Sequence, residues 1–172
     1  KLFITGENAS EALPKLAQGR QERKAFTIDI LGEATLSESE AERYQHRYMA
    51  LIKRLKEASQ SWDVFDQIDT DDCGSIPKVN VSVKLSSLYS QINLKAWKET
   101  KEALKERLRP IFTLAKECGV FINLDMLVIL TPAIMSVSQL NTSKCSASRH
   151  RYIKATWEES MALIHKFFLV KC

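Results

Sequence analysis

Three ionisable side chains stand near the C-terminal ends of short apolar runs that read as strands. Asp29 lies in Phe26-Thr27-Ile28-Asp29-Ile30-Leu31-Gly32-Glu33, Lys84 in Val81-Ser82-Val83-Lys84-Leu85-Ser86, and Asp125 in Ile122-Asn123-Leu124-Asp125. Charges so placed are costly to bury unless they pair with one another or with a ligand. If the three strands are neighbours in a β/α barrel, their C-terminal ends share one mouth, where such folds keep their chemistry. One ammonium and two carboxylates would then meet at one rim and could fix a charged ligand. Asp29 and Lys84 could equally form a buried ion pair with no chemical duty. Read alone, Lys84 is as well explained by a lysine reaching solvent, and Asp125 by a helix cap. The run Leu127-Val128-Ile129-Leu130 gives little sign of a helix start, which weakens the cap.

The elements between these segments must position them. Residues 9–16 predict a short opening helix that Pro14 should break. Phe26, Ile28 and Ile30 face one way in the first strand, Thr27 and Asp29 the other. Ser37 and Glu40 form a capping box, after which Ala41, Tyr44, Tyr48, Leu51, Ile52 and Leu55 keep a clean helical stripe. Residues 60–78 read as a polar, solvated connection. Its Asp69, Asp71 and Gly74 imitate a calcium loop, but Cys73 sits where an oxygen ligand is needed and Asn80 where the bidentate glutamate should be. Val79, Val81, Val83 and Leu85 alternate with Asn80, Ser82 and Lys84 as a second strand. Leu94, Trp97, Leu104, Leu108, Ile111 and Ala115 predict another long helix, which Pro110 should bend or divide and Gly119 should stop. The third strand covers 120–126, with Phe121, Asn123 and Asp125 on its inner face. Leu31-Gly32-Glu33-Ala34 cannot make a dinucleotide fingerprint, because it has one glycine. The order β-α-β-α-β, with helices long enough to cross over parallel strands, is the opening of an α/β fold.

The chain has 172 residues, 45% hydrophobic and 27% charged, within the range of one globular domain. Its net charge of +4 is unevenly spread: residues 1–126 sum to zero, and 127–172 carry six basic and two acidic residues. A basic tail could bind nucleic acid, but a different compositional origin explains it better, and no nucleic-acid partner is expected. Cys73, Cys118, Cys145 and Cys172 form no CxxC pair, which points to a reducing, cytoplasmic setting. His46, His150 and His165 are too scattered to suggest a metal site. The first residue is lysine, which suggests a cut from something longer. After residue 126 the pattern breaks, although Trp157, Met161, Ile164, Phe167 and Phe168 allow one more helix. The division expected is thus 1–126, the opening of a barrel, and 127–172, an atypical tail that is out of register or disordered.

The three strand motifs, with Phe3-Ile4-Thr5-Gly6-Glu7 near the start, resemble the flavin-dependent proline dehydrogenase domain. The closer likeness is to that domain in the bifunctional bacterial proline dehydrogenase/glutamate-semialdehyde dehydrogenase (proline utilisation A) family. It covers residues 1–126 without interruption. The resemblance implies an incomplete (β/α)8 TIM-type barrel, the first three strands and intervening helices, followed by an unplaced C-terminal tail. It implies FAD as cofactor, L-proline as substrate, pyrroline-5-carboxylate as product and a quinone acceptor at the membrane surface. The protein would be cytoplasmic, with a peripheral position at the inner membrane open to it. Carried over by position, Lys84 would pair with the substrate carboxylate. Asp125, with Lys84, would lie beside the flavin and organise cationic side chains there. Glu33 would form an ion pair that closes the pocket, and Asp29 would support that region. Two departures stand out. Leu127 replaces a glutamate of the family pattern, and the strands and paired arginines expected beyond the third strand have no match in Arg149, His150, Arg151 or Tyr152. A three-strand piece does not close a barrel, so inactivity of this truncated chain belongs to the expectation. The alternative is a non-enzymatic product that self-associates or binds a partner through an open sheet edge and its basic tail.

Overall fold

The computed structural model describes residues 5–32, 34–72, 74–93, 95–125 and the backbone of 169–171. In chain order the elements are α1 (Ala9–Gln21), β1 (Thr27–Asp29), α2 (Glu38–Ser59), the single turn α3 (Asp66–Asp69), β2 (Thr70–Asp71), β3 (Gly74–Ser75), β4 (Asn80–Lys84), α4 (Trp97–Cys118), β5 (Phe121–Asp125) and β6 (Leu169–Lys171).

The start of α2 is set by Ser37, whose hydroxyl accepts the Glu40 N–H at 3.3 Å. The Glu40 carboxylate returns to the Leu36 N–H at 3.0 Å, one residue earlier than a standard capping box. Helix α4 ends in a Schellman motif. Val120 N–H reaches Ala115 O at 2.9 Å and Gly119 N–H reaches Lys116 O at 3.3 Å. Gly119 sits at φ 64°, a conformation that costs an L side chain steric energy. The chain then enters β5 directly.

Both proline expectations are corrected. Helix α1 runs through Pro14, and α4 runs through Pro110 as one helix of 22 residues. Each proline removes a hydrogen bond to the carbonyl four residues back, on Ser10 and Glu106, and both of those residues are exposed. Water can satisfy the freed carbonyls, while the buried stripes hold each helix together.

Strands β5, β4, β1 and β6 lie side by side in that order, and every pairing is parallel. Strands β1, β4 and β5, which carry the three motifs, thus lie side by side in chain order, as βαβ crossovers allow. Alternation puts Ile28, Val81, Val83 and Ile122 on the face covered by helices. Tyr48, Ile52, Leu55, Leu104, Leu108 and Ile111 pack against them in one core. Thr27, Asp29, Ser82, Lys84, Asn123 and Asp125 occupy the opposite face. Glu38 ties the helix layer to the segment after β4, accepting from Ser90 Oγ at 2.6 Å and from Arg107 at 3.0 Å. Gln45 donates to Arg107 O at 2.7 Å, linking α2 to α4.

The connection between α2 and β4 is more than a solvated loop. It forms α3 and the β2–β3 hairpin, and its Asp69 is buried. Asp69 Oδ2 accepts from Arg20 at 2.6 Å and from the Phe65 N–H at 2.9 Å. Arg20, 2% exposed, also donates to Asp63 O at 3.0 Å, and its guanidinium lies 5.6 Å from the Trp62 ring centroid. Residues 169–171 pair with β1, so three residues of the tail have a place beside the first strand. Cys73, Leu94, the rest of 127–168 with its expected helix, and the terminal cysteine lie outside the described residues. No helix among the described residues is long and apolar enough to cross a membrane.

Candidate active site

Register decides which side chains meet. Asp29 of β1 lies opposite Ser82 of β4, and Lys84 is two residues farther along on the same face. Lys84 in turn lies opposite Asp125 of β5. The ammonium therefore reaches diagonally back to Asp29 Oδ2 at 2.7 Å and stands 3.9 Å from Asp125 Oδ2. Asp29 is 2% exposed, Lys84 20% and Asp125 47%. The three thus grade from the sheet interior to solvent along one rim. Asp29 Oδ1 is buried and has no hydrogen-bond partner among the described residues.

Burial alone would weaken the Lys84 ammonium. The hydrogen bond and charge of Asp29, reinforced by Asp125, outweigh it and hold the lysine pKa above its ordinary value. Lys84 is therefore a fixed cation at neutral pH and cannot act as a base there. Among the described residues the rim carries one positive and two negative groups.

The stretch after β1 is anchored where Thr35 donates through both N–H and Oγ1 to Ser86 O, at 3.2 and 3.3 Å. Gly32 lies against Tyr44 of α2: a Cβ there would fall 2.5 Å from the ring Cζ and closer still to the hydroxyl. Glycine lets this stretch cross the tyrosine. Glu33, the next residue, lies outside the described residues, and its expected ion pair is not placed. Asp29, Lys84 and Asp125, drawn from three distant motifs, do come together.

Two contributors escaped the sequence reading. Tyr48 was legible only as a member of the α2 stripe, yet its hydroxyl accepts the Lys84 N–H at 3.1 Å. Ser87 donates to Lys84 O at 2.7 Å. The available signal was the hydroxyl itself, since a buried tyrosine needs a polar partner.

A parallel α/β sheet with a charged C-terminal rim defines a class of enzyme scaffolds rather than one activity. The family profile of proline dehydrogenase matches residues 12–151, and the chain belongs to that family. The match extends past residue 126. Proline utilisation A from Bdellovibrio bacteriovorus, in a crystal structure inactivated by N-propargylglycine, is 50% identical over 81% of this chain, with a TM-score of 0.72. The corresponding protein of Corynebacterium freiburgense is 29% identical over 78% of the chain, with a TM-score of 0.53. Among curated proteins, the bifunctional protein PutA of Escherichia coli K12 is 27% identical over 123 residues. The chain covers 14% of the Bdellovibrio protein, 12% of the Corynebacterium protein and 8% of the Escherichia coli protein.

Proposed function

We propose that this chain contributes the opening βα units of a (β/α)8 barrel that oxidises L-proline to pyrroline-5-carboxylate, with FAD as cofactor. The observation that carries the reading is the meeting of Asp29, Lys84 and Asp125 at one strand-end rim in a member of the proline dehydrogenase family. N-propargylglycine, which inactivated the Bdellovibrio relative, is an N-substituted amino acid. A site that accepts a secondary amine beside a free carboxylate fits both that compound and proline.

The rim's donor set suits this role. Lys84 offers an ammonium that is neither fully buried nor loose, able to meet a carboxylate or the electron-rich edge of a flavin. When bound, FAD supplies the hydride acceptor. The chain's own residues then bind and orient. Lys84 takes the proline carboxylate, Asp29 holds Lys84 in place, and Asp125 draws in cationic groups at the mouth. Glu33 supplies the ion pair that closes the pocket. Fixing the substrate in this way lowers the entropic part of the barrier. Because the described residues of the rim set one cation against two carboxylates, gripping an anion requires further positive charge beside them. Electrons would pass to a membrane quinone, with the protein cytoplasmic and peripheral to the inner membrane. Self-association through an open sheet edge is the second reading: β6 lies along β1, and β5 and β6 end the strand order among the described residues.

The test is optical. The purified chain should carry flavin absorbance that bleaches on addition of proline. A colourless chain that reduces no dye would defeat the claim of activity for this chain.

A further inference from the structure

At the end of β4 Lys84 still pairs with Asp125 of β5, but on its other flank side chains stand where a β1 partner would be. The paired residues of β1 reach only Asp29, opposite Ser82, so no β1 partner stands in register with Lys84. The Lys84 N–H instead donates to Tyr48 Oη at 3.1 Å. Its carbonyl accepts from Ser87 Oγ at 2.7 Å, and Ser87 Oγ lies 3.5 Å from Tyr48 Oη. Ser87 has one proton, and the shorter contact claims it. The tyrosine proton is then left to point at Ser87 Oγ. Tyr48 and Ser87 thus bracket the peptide, one on its N–H and the other on its carbonyl. Tyr48 is 0% exposed and Ser87 1%, so water does not compete for these bonds.

We propose that Tyr48, with Ser87, is a positioning residue that clamps the Lys84 backbone and thereby aims the ammonium at Asp29 and the rim. This deepens the proline-oxidising reading and rests on it for its functional meaning. The clamp itself is a statement about Lys84. The geometry explains why a polar hydroxyl lies in an otherwise apolar core facing the sheet. The backbone at Lys84 is where the strand becomes a 3-10 turn, Leu85–Ser87, and there Tyr48 and Ser87 bind its N–H and its carbonyl. A fixed Lys84 Cα narrows the rotamers open to the side chain to those that reach Asp29 at 2.7 Å. Among the described residues, the charged and titratable groups facing the Lys84 ammonium are Asp29 from β1, Asp125 from β5 and Tyr48 from α2. Burial keeps Tyr48 neutral, pushing its phenol above the ordinary value, so it serves as a hydrogen-bonding group and not as a counter-charge.

The experiment is a lysine titration by NMR on the full chain labelled with 13C and 15N at lysine. The Lys84 signal is assigned by its loss in Lys84→Arg. In Tyr48→Phe the Lys84 ammonium should titrate about half a pH unit lower or more, roughly a threefold weaker hold on its proton, because it drifts from Asp29. Ser87→Ala should move it in the same direction by less. A purely structural tyrosine would lower the melting temperature and leave the Lys84 titration where it was, and that result would overturn the proposal. If Tyr48→Phe does not fold, the Ser87→Ala titration decides alone: no shift rejects the clamp. Proline titrated into the unaltered chain is read separately. Failure to bind would count against the proline-oxidising reading and leave the lysine result standing.

Discussion

The asymmetry of the Asp29–Lys84 pair makes it informative. Lys84→Met leaves a carboxylate at 2% exposure without its cation, a loss of about 3–5 kcal/mol when a buried charge is stranded. Asp29→Asn leaves an ammonium that can still turn toward solvent and Asp125, at about 1–3 kcal/mol. Urea unfolding of the two variants should show the lysine substitution to be the worse. The sign of the pH dependence follows from the raised Lys84 pKa. A proton held more tightly in the folded state stabilises it fully below the ordinary lysine pKa. That stability is lost as pH rises through the folded value. Asp69 behaves oppositely. Burial works against its charge, but Arg20 and the Phe65 N–H overcome that and lower its pKa. Its contribution is present above the ordinary aspartate value of about 3.9 and is lost as pH falls through the folded one. Asp69→Asn should therefore flatten the acid limb of the stability curve. The rim residues were legible because each ends an alternating strand. Asp69 was not, because its partner Arg20 is on another helix and the acidic stretch around it reads as solvated.

The helices hold by their caps and stripes. Gly119→Ala places a Cβ in open space, so its whole cost is the left-handed backbone, about 1–2 kcal/mol, read as a lower melting temperature. Ser37→Ala removes the N-cap of α2 at about 1 kcal/mol. Both termini were legible, since capping chemistry is local. The effect of Pro14 and Pro110 was not. A proline's damage depends on whether the carbonyl it frees is wet or buried, and that is a property of the packed molecule. The connecting hairpin was missed for a related reason. Its pairs Thr70–Ser75 and Asp71–Gly74 form two-residue strands, too short to carry a period.

Across the whole molecule, sequential parallel strands with helices on one face were legible from the order of elements, because crossover geometry leaves few choices. The place of the last residues was not. Their backbone runs beside β1, a contact spanning nearly the full chain that no local pattern announces. Removing residues 169–172 should uncover that strand edge, and exposed edges recruit other chains. Size-exclusion chromatography across a concentration series should then show the shortened chain assembling where the parent does not.

The Arg20–Asp69 clip also writes a cleavage map. Trypsin must draw a basic side chain into its own pocket, and Arg20 is locked away inside the fold. Lys24, with a 64% exposed side chain in the segment before β1, is open to attack. A brief digest should cut after Lys24 and spare the bond after Arg20. In Asp69→Asn, the arginine side chain is released and a second cut should appear there.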